Sequence, residues 1–429
     1  MKIKEQVDVT QLSEKHHEPE WLLQQRLAAL EESAVLPLPK LEGTRIESWA
    51  FDDFRFDDDE RNNLLELEQL PLDIRSFLST EKNASILVQK NKQVMVQTDD
   101  QIEEQGVIFT DLHQAILQHE ALIQPYLFST LENEKNKLFS LHKALWSGGV
   151  FLYVPRNQEV KVPFQSLFWL QGERRGMFPH VIVVAEENSR VELITSFVAE
   201  VDDCPSVNNA VIEVFVGQNA NVRVATVNHL PQSVVDVVYR RAVVDRDGQL
   251  EWVVGDFSEG RMISDNYTAL KGEGSQVKVK AVTMGAGEMR ANITSTVDHQ
   301  ARYTISDILA RSVMKNRASS ILNSITKIEK GASKSNGQQS GKVLMLNSQA
   351  RGDANPILLI DENDVMAGHA ASVGRVDPMQ IYYLMSRGIP KEEAEKLIVY
   401  GFLETILTNI PSKAVREQLD RVVERKFQL

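Results

Sequence analysis

The sequence predicts a mainly β protein with a stacked, solenoid-like centre and helical regions at both ends. Three observations support this. A short pattern recurs at regular intervals in the middle of the chain, β-branched residues alternate with polar ones from about Val150, and both ends show apolar residues at helical spacing. Short strands that recur every 20–50 residues or so are typical of stacked β units, which bury a continuous core only by stacking.

The first part of the chain, residues 1–149, is predicted to be a mostly helical domain. Apolar residues at helical spacing indicate helices over residues 20–33, 111–122 and 133–146, and two short apolar runs at 86–88 and 94–96 indicate strands. Gly148 and Gly149 are expected to end the third helix, because glycine favours conformations that break helices.

The central part, residues 150–376, contains the repeat. Four similar tetrads, SRVE, ANVR, GQLE and SQVK, begin at Ser189, Ala220, Gly248 and Ser275, roughly 30 residues apart, and each is followed by a further apolar residue. Further strands are predicted between the tetrads, and residues 330–341, rich in glycine, serine and asparagine, are predicted to be a loop. A β-helix, or solenoid, is the preferred architecture, and a large β-sandwich is the alternative.

The last part, residues 377–429, is predicted to be a helical domain. One helix covers residues 378–387 and ends at Gly388, a second begins at Pro390, and a third covers residues 413–426 after Pro411 and Ser412. Terminal helices of this kind either cover the end of a solenoid or form a docking module for a partner.

Composition excludes several classes of function. The chain has 429 residues and a net charge of −13, which argues against nucleic acid or an anionic membrane as the main partner. Its one cysteine, Cys204, excludes a disulfide framework and a multi-cysteine metal cage within this chain, and we expect it to be an unreactive loop thiol. No signal-like or membrane-spanning apolar run is present, so a cytoplasmic location is expected.

One histidine, His369, is the best candidate for chemistry. The sequence has no P-loop, HExxH, GxSxG or CxxC motif, and its nine histidines form no spaced set of metal ligands. His369 differs from the others because small residues surround it in the segment GHAAS, which leaves room for a docking group. An imidazole is a ligand for iron or zinc, and the alternative is a histidine capped by backbone groups where sheet meets helix.

The same segment resembles the SufB/SufD family of iron–sulfur cluster assembly proteins. The matching motifs are PILLI at 356–360, DV at 364–365, GHAASVG at 368–374, YYLMSRGI at 382–389 and, near the start, ESW at 47–49 with DF at 53–54. The early tryptophan motif and the scarcity of cysteine favour the SufD branch over the SufB branch. The resemblance covers essentially the whole chain.

The resemblance implies a right-handed parallel β-helix core between helical domains. It also implies pairing of β-helices, with SufB or as a homodimer, and docking of the SufC ATPase on the C-terminal helices, at about residues 377–401. His369 matches a histidine that lies near the SufB–SufD interface in the family and is thought to help hold a nascent cluster. Some members have a cysteine two residues earlier, where this chain has Ala367.

The expected function is therefore that of a non-catalytic scaffold subunit in iron–sulfur cluster assembly or iron acquisition. No tightly bound cofactor is expected in this chain alone; a nascent cluster would form at the partner interface, with His369 as a ligand shared with the partner chain. Some related complexes bind a reduced flavin, for which no motif is visible. The alternatives are a stand-alone homodimeric protein that binds iron or a cluster, and a β-helix enzyme that acts on carbohydrate.

Overall fold

Two parallel sheets, stacked face to face, form the centre of the molecule. The structure is a computed structural model that describes residues 9–55, 66–78, 84–132, 134–201, 203–408 and 413–428. From Gly149 to Arg375 consecutive strands alternate between the two sheets, so that each turn of chain adds one strand to each sheet, and the result is a β-solenoid of about 8 turns. The predicted solenoid is confirmed, and the alternative of a β-sandwich is wrong, because from β8 onwards each strand pairs in parallel with the next strand but one in sequence, which belongs to the next turn.

The strands are as follows: β1 Ile86–Lys90, β2 Gln93–Gln97, β3 Ile108–Asp111, β4 Gly149–Val154, β5 Phe164–Gln171, β6 Gly176–Met177, β7 His180–Ala185, β8 Arg190–Glu200, β9 Ser206–Val216, β10 Asn221–His229, β11 Val234–Val244, β12 Gln249–Asp256, β13 Arg261–Leu270, β14 Gln276–Gly285, β15 Arg290–His299, β16 Ile305–Met314, β17 Ser319–Ile328, β18 Asn336–Met345, β19 Arg351–Ile360 and β20 Met366–Arg375. Sheet I has the order β2-β1-β5-β8-β10-β12-β14-β16-β18-β20. Sheet II has the order β19-β17-β15-β13-β11-β9-β7-β4-β3, with β6 beside β9.

The α-helices among the described residues are α1 Val9–Lys15, α2 Glu20–Val35, α3 Leu72–Arg75, α4 Asp100–Glu104, α5 Leu112–Ile123, α6 Lys137–Leu145, α7 Pro378–Ser386, α8 Lys391–Leu407 and α9 Lys413–Gln428. They bear out the predicted helices at both ends of the chain, although position 133 and Pro411 and Ser412 lie outside the described residues. None of the described helices is both long and apolar enough to span a membrane.

The sequence tetrads are the first residues of stacked strands. Arg190, Asn221, Gln249 and Gln276 are directly opposite one another in β8, β10, β12 and β14. The residue just before each tetrad has a positive φ, which asparagine, aspartate and glycine adopt most readily; these residues are Asn188, Asn219, Asp247 and Gly274. Each tetrad therefore follows a turn of the same conformation and begins a strand whose apolar residues face the interior.

Three apolar layers hold the solenoid. The interior between the sheets is filled by side chains such as Leu193, Val224, Trp252 and Val279, all of them buried. The outer face of sheet II packs against α2, α5 and α6, and the outer face of sheet I packs against α8 and α9. Since a fully buried aliphatic or aromatic side chain stabilises the fold by about 1.5–3 kcal/mol, these layers account for most of the driving force.

One predicted loop is wrong in its second half. Residues 330–341 were expected to be a loop, but Asn336–Met345 form β18, in register with β16. The small residues are needed for packing: a Cβ on Gly337 would lie 2.6 Å from Cγ2 of Thr326 on the opposite sheet. Low intrinsic strand propensity is overridden here by stacking on the preceding turn.

The two ends of the solenoid differ. At the first end, strands β1, β2 and β3 from the N-terminal part of the chain extend both sheets. The division into three domains at residues 149 and 376 stays a prediction. At the last end, β19 and β20 are the final strands of their sheets, and in the described part of the chain no further strand pairs with either.

Candidate functional site

The open end of the solenoid is formed by β19 and β20. Within the described ranges, β19 pairs only with β17 and β20 pairs only with β18, so one edge of each strand presents unpaired N–H and C=O groups. Most side chains of β20 are exposed, in contrast to the buried strands of earlier turns. An exposed strand edge is a template for another chain, and proteins usually cover it.

His369 lies on the inner face of this last turn. In β20 it is directly opposite Gln339 of β18, which is opposite Ile308 of β16, and the same column continues through Val279 to Trp252. Residues opposite one another in parallel strands share a face, so His369 occupies the position that a buried apolar residue occupies in the earlier turns. It is exposed because no later turn covers it.

The small residues around His369 keep the strand surface low. Ala367, Gly368, Ala370 and Ala371 leave the imidazole as the largest side chain in this part of β20. A Cβ on Gly368 would lie 2.6 Å from Oε1 of Gln338, which is the end of an exposed, flexible side chain that can move aside. A group from another molecule could therefore reach His369 without displacing neighbouring side chains.

The column becomes polar in its last two turns. The amide Nε2 of Gln339 donates to Oγ1 of Thr326 at 2.6 Å and to the carbonyl oxygen of Ile357 at 3.1 Å, both from sheet II. Oε1 of Gln339 is buried and has no partner in the described part of the chain. In the turn before His369, the column therefore holds Gln339, whose Oε1 accepts no hydrogen bond from a described residue, where earlier turns hold apolar side chains.

The residues present do not form a complete metal site. Among the described residues no group of three or more His, Cys, Asp or Glu side chains is placed to hold a metal ion. Ala367 supplies no thiolate beside His369, and Cys204 lies in the β8–β9 loop, far away along the solenoid. The described residues around His369 therefore do not form a metal site of three or more ligands by themselves.

Several large apolar side chains are exposed on the last two strands and on the two helices that follow them. They include Leu359, Ile360, Met366, Val373, Met379, Tyr382, Tyr383, Met385 and Leu397. Met366 and Tyr382 are 64% and 66% exposed. Such a concentration of exposed apolar residues in one part of the chain is consistent with an interaction site.

Helix α7 contributes several of these side chains. Asp377 caps the helix, with its carboxylate accepting a hydrogen bond from the Met379 N–H at 2.9 Å, and Gly388 follows the helix with a φ of 86°. No residue of α7 is buried. In contrast, α8 and α9 bury apolar faces on sheet I, where Gly255 allows close approach of Leu419. Helix α7 therefore precedes two helices that are packed on sheet I, but none of its own residues is buried by the described part of the chain.

Comparisons with known proteins agree with this architecture. The family model "SUF system FeS cluster assembly, SufBD core domain" matches residues 168–402, and the model "SufBD protein N-terminal region" matches residues 15–166. The chain belongs to the SufBD family of iron–sulfur cluster assembly proteins. The residues matched by the core model include β20, His369, α7 and part of α8.

Individual relatives of this SufBD family chain cover nearly its whole length. The chain is 43% identical over 418 residues to "Iron-sulfur cluster assembly protein SufD" of Bacillus subtilis (strain 168), with 96% of each chain covered. It is 28% identical over 435 residues to "Iron-sulfur cluster assembly SufBD family protein" of Staphylococcus epidermidis (strain ATCC 12228), covering 98% of this chain and 92% of the relative. A relative in Staphylococcus haemolyticus is 28% identical over 431 residues, with the same shares covered.

A second polar cluster in this SufBD chain could not be found from the sequence. Nδ1 of His142 donates to the carbonyl oxygen of Asn209 at 2.8 Å, its Nε2 lies 2.9 Å from Nδ1 of His180, and Nε2 of His180 lies 2.9 Å from Oε1 of Glu213. Burial, and next the neighbouring His180, lower the pKa of His142 well below its usual value. Neutral His142 must therefore accept from His180, which leaves one proton between His180 and Glu213.

This cluster is structural and lies far from the open end in sequence order. The three side chains are fully buried between sheet II and the N-terminal helices, and the Glu213 carboxylate also accepts from the N–H groups of Phe128 and Thr130. His142 and His180 are 38 residues apart in the chain. They are brought together because α6 crosses the starts of β7 and β9, which no local pattern reveals.

Proposed function

We propose that this chain is a non-catalytic scaffold subunit in which the open end of the solenoid pairs with a second β-helix, of SufB type, and His369 shares an iron or nascent-cluster site with that partner. The observation that carries the proposal is the position of His369: an inner-column histidine on the last, uncovered turn. A covering chain would extend the interior column beyond His369 and enclose it. The printed name of the Bacillus subtilis relative, an iron–sulfur cluster assembly protein, supports the class of chemistry.

The choice of a shared site follows from the ligands. Iron–sulfur clusters are held mainly by cysteine thiolates, with histidine as an occasional ligand. Within the described residues, no group of three or more His, Cys, Asp or Glu side chains is placed to hold a metal ion. A partner that supplies thiolates would complete the site, whereas this chain alone would not.

Reconstitution with iron and sulfide tests this proposal. The chain and its SufB-type partner, mixed in equal amounts, are expected to form a visible-absorbing cluster whose yield falls at least severalfold with His369→Ala. His299→Ala is a poor control because His299 is buried, so the matched control is His17→Ala, which replaces an exposed histidine in the N-terminal part of the chain. A stable cluster on the isolated chain, lost with His369→Ala, would instead favour the stand-alone homodimeric protein.

We further propose that α7 is the dock for the SufC ATPase. Its exposed Met379, Tyr382 and Tyr383 form an apolar surface on a helix with no buried residue, which suits binding in a groove of another protein. Pairing of two chains would place two such docks on one assembly, and ATP-driven closure of the docked subunits would then act on the paired open ends.

Co-purification with SufC tests the dock. Deleting residues 378–429 is a poor experiment, because it also removes α8 and α9 and uncovers sheet I. The double substitution Met379→Ala and Tyr382→Ala keeps the fold and is expected to abolish co-purification, while Leu117→Ala, at an exposed apolar position of α5, is expected to leave it intact. Undiminished binding of the double variant would show that the dock lies elsewhere.

A further inference from the structure

A cavity lined by arginines lies on sheet II, beside the loop of residues 43–49. Its volume is about 350 Å³, and its polar lining includes Arg45, Arg261, Arg290 and Arg351. We propose that this cavity binds a small anion that carries two or more phosphate groups. The cavity reaches the open end only at the start of β19, and the proposal does not depend on the proposed function.

The strand register stacks the arginines. Arg261, Arg290 and Arg351 are all first residues of their strands, and the register places Arg261 opposite Arg290, Arg290 opposite Ser319, and Ser319 opposite Arg351. Neighbouring strands are about 4.8 Å apart, so the first two guanidinium groups start one strand apart and the third starts two strands further on. The strand starts therefore form a row of three arginines that is interrupted by one serine, Ser319.

This positive charge is poorly compensated by the protein. Arg351 pairs with Asp353 at 3.0 Å, but Arg45, Arg261 and Arg290 form no ion pair with any described residue. Nη1 of Arg261 donates to the carbonyl oxygen of Ser48 at 3.3 Å, and Nη1 of Arg290 donates to Oγ of Ser319 at 3.1 Å. Like charges opposite one another destabilise a sheet, and the whole chain has a net charge of −13, so a local excess of arginine calls for a specific counter-charge.

The opposite wall of the cavity is held in place by the fold. Nδ2 of Asn292 donates to the carbonyl oxygen of Glu42 at 2.9 Å and to Oγ1 of Thr44 at 2.8 Å, which fixes the loop on β15. Gly43 has a φ of 65°, and a Cβ there would lie 2.8 Å from Cδ1 of Ile321. A wall formed before the ligand arrives reduces the entropy cost of binding.

The donors select the class of ligand. A guanidinium group matches the geometry of phosphate oxygens and binds them through paired hydrogen bonds. Successive guanidiniums along the strand starts suit successive phosphate groups, and Thr44, Ser319 and Ser320 add hydroxyl groups to the lining. The volume suits a ligand of the size of a diphosphate or a small phosphorylated metabolite better than a folded protein surface.

Titration calorimetry of the full chain with inorganic diphosphate, at fixed ionic strength, tests the proposal. We expect saturable binding. The double substitution Arg261→Gln and Arg290→Gln should weaken it by about tenfold or more, because each hydrogen bond lost between a guanidinium and a phosphate lowers the binding free energy. The matched control is Arg246→Gln, an exposed arginine in the turn after β11, which should change the affinity less than about twofold. Unchanged melting temperatures would show that both variants fold.

Two further titrations separate the sources of the anion. Vesicles containing phosphatidic acid report a lipid headgroup, and poly-glutamate reports an acidic protein segment. Binding of diphosphate that is lost in the double variant supports the proposal. It is overturned if millimolar diphosphate gives no binding, if the double variant binds as tightly as the parent, or if only vesicles or poly-glutamate bind.

Discussion

Replacement of Glu213 by alanine should detach part of the N-terminal helical region from sheet II. The Glu213 carboxylate is fully buried on the outer face of β9 and accepts hydrogen bonds from the N–H of Phe128 at 2.6 Å, the N–H of Thr130 at 2.9 Å, the hydroxyl of Thr130, and Nε2 of His180. Phe128 has a φ of 61°, an unfavourable conformation for a bulky residue that these bonds help to hold. Alanine would remove every acceptor and leave the donors buried.

The size of the effect follows from the number of stranded groups. Each buried donor left without a partner costs about 1–3 kcal/mol, and removal of one member of a buried charged pair costs about 3–5 kcal/mol. Because these two costs describe the same bonds, we expect a total loss of about 4 kcal/mol. Domains are usually stable by only about 5–15 kcal/mol, so the melting temperature should fall by several degrees or more.

Hydrogen exchange and thermal unfolding check this prediction together. In the Glu213→Ala variant, a peptide that covers residues 124–132 should lose amide protection before peptides from the solenoid interior do. The matched control is Glu288→Ala, which removes a carboxylate paired with Arg317 on the surface and should cost less than about 0.5 kcal/mol. Equal melting temperatures for the two variants, or unchanged protection at Phe128 and Thr130, would refute the reasoning.

Three other perturbations have defined outcomes. Burial lowers the pKa of His229 to about 3 and of His299 to about 4, so the unfolded chain binds more protons below the ordinary value of 6.5; stability should fall as the pH drops from about 6.5 to about 4, and His299→Gln should flatten a plot of melting temperature against pH, whereas a superimposable plot would contradict this. Glu259→Ala would strand the buried ammonium of Lys426, 3.1 Å away, and limited proteolysis should then cleave α9 sooner, an effect that Lys426→Met should largely avoid; equal cleavage rates in the parent and Glu259→Ala would argue against it. Trp252→Ala would open a cavity in the solenoid interior and cost about 3–5 kcal/mol in chemical unfolding, and a loss below about 1 kcal/mol would mean that the interior collapses around it.

The central fold could be predicted because its local patterns repeat. The tetrads that begin at Ser189, Ala220, Gly248 and Ser275 share a turn conformation and an inward apolar residue, and stacking requires both in every turn. Strand β18 was not predicted because its first residues, which include Gly337 and Gly341, lack the β-branched side chains that indicate a strand. Stacking on a preceding strand is a long-range effect that single-residue preferences do not contain.

The candidate site was located by sequence but not explained by it. Small neighbours drew attention to His369, and the structure adds that its position continues the inner column of Trp252, Val279 and Ile308. The His142–His180–Glu213 cluster and the stacked arginines were missed, because residues about 30 or more apart meet only through the register of the sheets. Whether His369 binds metal stays a prediction that the reconstitution experiment tests.

The unequal ends of the solenoid have a consequence for the number of subunits in an assembly. The first end of the solenoid finishes in the short strands β2 and β3, of five and four residues, whereas the last end finishes in β19 and β20, of ten residues each. A building block with two open ends can add copies without limit and form a fibre. A short edge strand offers few backbone groups for pairing, so the first end is the poorer template for a further copy. The difference in strand length thus disfavours growth into a fibre and favours association through the last end.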